Sequence, residues 1–292
     1  MKAKEDRDFR IELMELVENN PTLATLPGVY SEFREAVEDP DLVFERVEKV
    51  VLKDPQLTAR LLRIVNSAFY NFSQKIETIS HAVSVVGTEQ LSYLVLSTGV
   101  MDKFKGIPDT VLNMESYWRH SIACGLIAKK LAVYNGELNA ERFFITGLLH
   151  DIGRLVMCLQ IPHRNWEFLI RSRSENKAVH LIEMNELGFD HAQLGGALLR
   201  EWNLPPIYQE VTEYHHNPDD APLFQFEASL CHVSDIIANT LQLGCSGESI
   251  NVPELKEKAW ANVQLTKEVS LENIKADIDV ILEEMVQVFL DH

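Results

Sequence analysis

Residues 147–156 read GLLHDIGRLV, and the pair at the centre, His150-Asp151, sits between apolar flanks. FFITGLL (143–149) leads in and LVMCL (155–159) leads out. A helix apolar on all sides is a buried helix. A neutral imidazole is tolerated in such surroundings, but a lone carboxylate costs on the order of several kcal/mol unless something pairs with it. Asp151 therefore predicts a buried partner, either a protonated histidine or a metal ion.

Four other stretches also place metal-capable side chains on apolar helix faces. In SYWRHSIACGLIAKKLAV (116–133), His120 shares a face with Cys124, Ile127 and Leu131. In GFDHAQLGGALLREW (188–202), His191 lines up with Leu194, Leu198 and Trp202. In PPIYQEVTEYHHNP (205–218), Pro206 suits a first helical turn, and Ile207 and Val211 lead to His215 at i+4 steps. His216 follows at once and Asn217-Pro218 ends the helix. In ASLCHVSDIIANTL (228–241), Asp235 stands among Ala228, Cys231 and Ala238, a face another helix can approach closely.

Each feature alone has an ordinary explanation. A single buried histidine is commonly a satisfied core residue, Asp235 has His232 three residues earlier, and His215-His216 suit a helix C-terminus. Together, five histidines and two aspartates on inward faces fit zinc, manganese, iron or magnesium, with Asp151 able to bridge two ions. His163, His180, His232 and His292 lack that pattern and are expected to be surface or structural residues.

The rest of the chain sets the background. Its 292 residues are 46% hydrophobic and 24% charged, with ample core for a globular protein. The formal charge of −17 repels phosphate backbones and anionic lipid, so neither nucleic acid nor membrane is an expected partner. Cys124, Cys158, Cys231 and Cys245 form no CxxC pair and are expected as reduced core residues of a cytoplasmic protein. The N-terminus has no signal-peptide block, and no apolar run is expected to reach the length of a membrane span.

Helical periodicity runs through nearly the whole sequence, which predicts an all-α fold. A first helix is expected over about residues 5–19, with breaks at Asn20-Pro21, Pro27-Gly28 and Asp39-Pro40. Two helices should meet around Asp54-Pro55, with Leu57, Leu61, Ile64 and Val65 inward and Leu62 widening the stripe. Thr88 is a plausible N-cap. GCSGESINVPE (244–254) is the best linker, and Ile274, Ile278, Ile281, Met285 and Val288 give the tail helix an apolar face.

The order His120, His150-Asp151, His191, His215-His216, Asp235 resembles the HD superfamily of metal-dependent phosphohydrolases, and GLLHDIG is similar to its HD-GYP branch. DPQLTARLLRIVNSAFYNFSQKIETISHAVSVVGTEQL (54–91) resembles the signature region of HDOD proteins, the bacterial HD-related output domains. YWRHS, LLHDIGRLV, GFDHAQLGGALLREWNLP and HHNP also match that family. The resemblance covers about residues 19–240. It implies a multi-helix HDOD fold, with an N-terminal helical bundle to about residue 108 and an HD-like core over about 109–240. Residues 241–292 would be a C-terminal helical extension packing on the core.

The resemblance also implies a function: a stand-alone bacterial signalling or regulatory output protein, acting through a protein partner or a small phosphorylated ligand. Iron, manganese or zinc would serve as one or two divalent or trivalent ions. His120, His150, Asp151 and Asp235 would hold a first ion, with His191, His215 and His216 helping to hold a second. One alternative is an active phosphohydrolase acting on a nucleotide, cyclic dinucleotide or other phosphoester. Asp151 would then be catalytic and Arg154 would steady the anionic substrate. HD-GYP enzymes carry lysine where this chain has Arg154, and arginine is a poor proton donor. Another alternative keeps the metal as a structural or sensory ion only. Asn66-Ser67, in RIVNSAFY, is the part most like the family hallmark. It is a candidate ligand or partner contact, against the simpler reading of helix-end capping.

Overall fold

The computed structural model describes residues 13–37, 43–247, 252–264 and 271–290, and among these there is helix and no strand. Chain contacts divide the protein into two units, one made of residues 26–105 with 276–292 and the other of residues 1–25 with 106–275.

In the first unit the helices are α1 (Gly28–Val37), α2 (Val43–Val51), α3 (Pro55–Val65), α4 (Ile79–Val86) and α5 (Thr88–Lys103). Asp54 opens α3 as expected. Its side chain accepts from the backbone N–H of Gln56 (2.8 Å) and Leu57 (3.1 Å), with Pro55 at the first helical position. Such a cap contributes about 1 kcal/mol. Leu57, Leu61, Ile64 and Val65 are buried, and Leu62 is half-buried. Thr88 does not cap α5: it is the first helical residue, and Gly87, at φ +90°, holds the cap position without a side-chain bond. That left-handed geometry suits glycine and is strained for threonine.

The second unit contains α6 (Met114–Tyr134), α7 (Glu141–Leu149), α8 (Ile152–Gln160), α9 (Pro162–Glu175), α10 (Val179–Leu187), α11 (His191–Glu201), α12 (Pro206–Tyr214), α13 (Gln225–Thr240) and α14 (Glu257–Val263). The tail helix α15 (Leu271–Leu290) groups with the first unit from Ala276 onward, where the Glu284 carboxylate accepts from the Ala68 N–H at 2.8 Å. Ile274, Ile278, Met285 and Val288 are buried, while Ile281 is half-buried and Leu282 takes its inward place. Residues 5–12 of the expected first helix, the Asp39-Pro40 break and His292 lie outside the described residues, as do residues 248–251 of the linker.

The opening stretch is not one helix. α7 ends at Leu149, His150 and Asp151 form a turn, and α8 starts at Ile152, with the Arg154 N–H bonded to the Asp151 carbonyl at 2.9 Å. Contrary to expectation, residues 141–160 do form a run long and apolar enough for a membrane span. Here 89% of its most apolar 18-residue window is buried within the protein.

The glycines on either side of the turn are where the neighbouring helices come closest. A Cβ on Gly147 would stand 2.5–2.7 Å from the backbone of Cys124 and Gly125 in α6. A Cβ on Gly153 would stand 1.9 Å from the His191 carbonyl oxygen and 2.6 Å from the Gly195 nitrogen in α11. The motif thus carries its own contact points for the helices that bring in His120 and His191.

Candidate metal centre

His150 and His215 sit at the C-terminal ends of α7 and α12, where the last carbonyls have no partner within the helix. Each imidazole meets one of them: His150 Nδ1 is 2.7 Å from the Gly147 oxygen, and His215 Nδ1 is 2.8 Å from the Thr212 oxygen. A carbonyl only accepts, so Nδ1 carries the proton in both rings. That leaves Nε2 of each ring turned inward, buried and without a hydrogen-bond partner.

The carboxylates face those nitrogens. Asp151 lies 3.1 Å from His191 Nε2 and 3.6 Å from His215 Nε2 through one oxygen, and 3.4 Å from His150 Nε2 through the other. Asp235 lies 3.1 Å from His120 Nε2 and 3.7 Å from His150 Nε2, and it accepts from the Asn239 amide at 2.7 Å. His216 Nε2 is 2.9 Å from His191 Nε2. All seven predicted positions, His120, His150, Asp151, His191, His215, His216 and Asp235, are buried and meet in overlapping groups. Three such groups of potential ligand atoms form: His120, Cys124, His150 and Asp235; His150, Asp151 and His215; and His191, His215 and His216.

Charge accounting indicates what belongs there. Asp151, Asp235 and Glu183 are buried carboxylates, and Arg154 is the buried guanidinium beside them. These carboxylates outnumber the guanidinium, so further positive charge must come from protonated histidines or from a bound cation. Burial pushes the His150 imidazole down, but Asp151 and Asp235 outweigh it and hold it well above its usual range. Burial and Arg154 likewise oppose protonation of His191, yet Glu183 and Asp151 raise it to about 10. Glu183, despite burial, is drawn down to about 2 by His191 and Arg154. Burial and the neighbouring imidazoles keep His215 neutral, at about 3, and hold His216 well below its usual range. The site as folded draws positive charge among nitrogen and oxygen donors, and those donors fit a metal ion.

Sequence reasoning missed Glu183. Its carboxylate bonds to the His191 backbone N–H (2.9 Å) and Nδ1 (2.6 Å), fixing the ring so that Nε2 faces Asp151. This is the usual support for a metal-binding histidine. The signal was available, because Glu183 follows Val179 and Ile182 on one buried helix face. His180 is half-buried and stacks on His216 at 4.0 Å, and His232 Nδ1 meets the His215 carbonyl at 2.8 Å rather than Asp235. His163 is exposed, and Cys245, unlike the other cysteines, is only half-buried.

Arg154, expected to meet an anionic substrate, is 2% exposed and lies 3.6 Å from Asp151 and 3.9 Å from Glu183. Its place is between two carboxylates of the protein. Asn66 caps α3 and clamps a loop. Its amide donates to the Leu62 and Ile76 carbonyls (2.7 and 2.8 Å), and its oxygen accepts from the Ile76 N–H (2.7 Å). Ser67 donates to the Ile64 carbonyl at 2.7 Å and accepts from the Phe69 N–H at 3.2 Å. These bonds lie within the helix end and loop, the geometry of capping, and the Ser67 hydroxyl also reaches the Met285 sulfur of α15 at 3.9 Å.

An all-helical protein with a buried histidine–carboxylate cluster on a His-Asp turn is what fold and site define. The HDOD domain pattern matches residues 23–218, and the chain belongs to the HDOD family. An uncharacterized protein of Treponema pallidum (strain Nichols) is 30% identical over 201 residues, taking in 68% of this chain and 38% of that protein's length. A solved HDOD domain protein of unknown function from Geobacter sulfurreducens is 26% identical with a TM-score of 0.73, over 96% of both chains. A candidate phosphohydrolase from Shewanella amazonensis SB2B shares the fold, with a TM-score of 0.73 and 23% identity over 95% of this chain and 97% of its own.

Proposed function

We propose that this protein is an HDOD signalling or regulatory output protein whose His-Asp centre holds one or two ions of iron, manganese or zinc. The observation that carries the reading is the pair of inward Nε2 atoms on His150 and His215, buried, without a hydrogen-bond partner and facing Asp151, each with its Nδ1 committed to a main-chain carbonyl. Rings so fixed present Nε2 towards the carboxylates, and a bound ion would take the place of the proton that the carboxylates hold on His150. His120, His150, Asp151 and Asp235 would hold one ion, and His191, His215 and His216 would help hold another. The output passes to a protein partner or a small phosphorylated ligand. Elemental analysis of untagged protein tests the reading, together with thermal melts before and after adding manganese or iron. No bound metal and no rise in melting temperature would remove it.

Glu183→Gln isolates the support from the ligands. The amide retains the shape but loses the charge on His191 Nδ1, and metal affinity is expected to fall about 10–100-fold with the fold intact. Isothermal titration on the variant checks this, and unchanged affinity would show that Glu183 only packs.

A second reading, a metal-dependent phosphohydrolase, is favoured by a cleft of about 500 Å³ with His216 and His180 in its wall and Lys177 and Lys256 beside them. That volume suits a nucleotide-sized ligand, and the lysines suit its phosphates. A smaller concavity of about 280 Å³, lined by Glu32, Glu35, Arg46 and Lys49, has no histidine in its lining. In this reading the ion would polarise a phosphoryl oxygen and lower the pKa of a bound water. Asp151 would orient the nucleophile's proton and Arg154 would keep Asp151 ionised and in place. A screen against phosphomonoesters, nucleotides and cyclic dinucleotides should give activity that Asp151→Ala abolishes and His163→Ala leaves intact. Lys256→Glu should raise KM roughly tenfold, the cost of about one charge-assisted hydrogen bond, with metal content unchanged.

A further inference from the structure

We infer that Cys124 is a further ligand of the ion held by His120, His150, Asp151 and Asp235, which makes that position a thiolate site. The inference rests on the metal-centre reading above and refines it.

Cys124 lies one helical turn after His120 on α6, fully buried, with its Sγ 3.4 Å from His120 Nε2. The potential ligand atoms of Cys124, His120, His150 and Asp235 all lie within 4.8 Å of one another. His150 Nε2 is the unpartnered, buried nitrogen aimed into the group. Three of the six spacings resemble the edges of a coordination tetrahedron. Zinc bonds of about 2.0–2.1 Å to nitrogen or oxygen and about 2.3 Å to sulfur give edges of roughly 3.3 Å between N and O, and roughly 3.6 Å between S and N. The observed edges are 3.1 Å and 3.7 Å from Asp235 to the two histidines, and 3.4 Å from sulfur to His120.

With the Cys124 sulfur added to the nitrogen and carboxylate donors, the protein itself supplies at least four ligands on this side, as a structural ion requires. The group made of His191, His215 and His216 has three donors, and His216 also lines the cleft, so an open position falls on that side. On binding, the Cys124 sulfur donates an electron pair to the ion and its thiol proton leaves to solvent. A thiolate turns the site away from magnesium and manganese and towards zinc or cobalt.

The test uses the full chain, untagged and stripped with a chelator, with Co²⁺ as the probe. The expected result is an intense near-ultraviolet sulfur-to-cobalt band that is present in the wild type and in Cys231→Ala and absent from Cys124→Ala. Cobalt affinity should fall at least tenfold in Cys124→Ala. Zinc-loaded wild type should show a zinc–sulfur shell at about 2.3 Å by X-ray absorption, a measurement that needs no variant to fold. Cobalt bound with visible d–d bands but no sulfur band, or a band that survives Cys124→Ala, would overturn the role of Cys124 and leave the metal centre standing. Failure of cobalt and zinc to bind at all would overturn both.

Discussion

Gly153→Ala is expected to be among the most damaging single substitutions in the protein. The added methyl would lie 1.9 Å from the His191 carbonyl oxygen and 2.6 Å from the Gly195 nitrogen, both main-chain atoms of α11. Neither neighbour is a flexible side-chain tip that can swing aside, so α8 and α11 must separate. Overpacking costs roughly 1–3 kcal/mol and occasionally more, and this case belongs at or beyond the upper end. The separation also carries His191 away from Asp151, so metal affinity should fall together with stability. Urea denaturation is the measurement, with Gly28→Ala as the control. A Cβ on Gly28 meets nothing within 4 Å, so that change should stay within about 0.5 kcal/mol of wild type. Equal midpoints for the two variants would refute the close-approach argument.

Asp151→Ala should have the second large effect, and it has two parts. Without metal, the variant leaves His191, His150 and Arg154 facing a gap where a carboxylate stood. Removing one member of a buried charged network typically costs about 3–5 kcal/mol. With metal, the wild type should gain about 2.7 kcal/mol when free ion is a hundredfold above its dissociation constant. For a protein of this size that gain corresponds to a rise of about 4–5 °C in melting temperature. The variant should show little of that rise, since the carboxylate between the histidine groups is gone. Melts of both proteins in chelator and in excess manganese or zinc decide the point. A variant that melts low but gains as many degrees as wild type would show that Asp151 is only a structural counter-ion.

Much of this centre was legible because burial and chemistry conflict in the sequence. An aspartate between FFITGLL and LVMCL, or a histidine one turn from Ile and Leu, stands out against an apolar period, and all seven such positions converge. Glu183 carried the same conflict more faintly, since α10 is short and also bears Glu186 and His180 on partly exposed faces. Other features lay beyond periodicity. The break at His150-Asp151 is invisible to a 3.6-residue count, because two short helices joined by a turn keep nearly the same apolar pattern. The roles of Gly147 and Gly153 depend on which helix crosses them, which is tertiary information. Thr88 looked like a cap by residue type, but the backbone there needs positive φ and the cap falls on Gly87. Arg154 was expected beside a substrate because its charge suits phosphate. The fold instead spends that charge on Asp151 and Glu183, which the sequence could not place around it.

The turn at His150-Asp151 also bears on how the nascent chain is handled. Residues 141–160 have the length and apolarity of a membrane-spanning segment, and before the fold closes they are exposed to any machinery that sorts such segments. Asp151 and Arg154 fall near the middle of the stretch, where each raises the cost of insertion into a bilayer by about 2.5–3.5 kcal/mol. The residues that furnish the buried centre therefore also raise the cost of placing this segment in a bilayer.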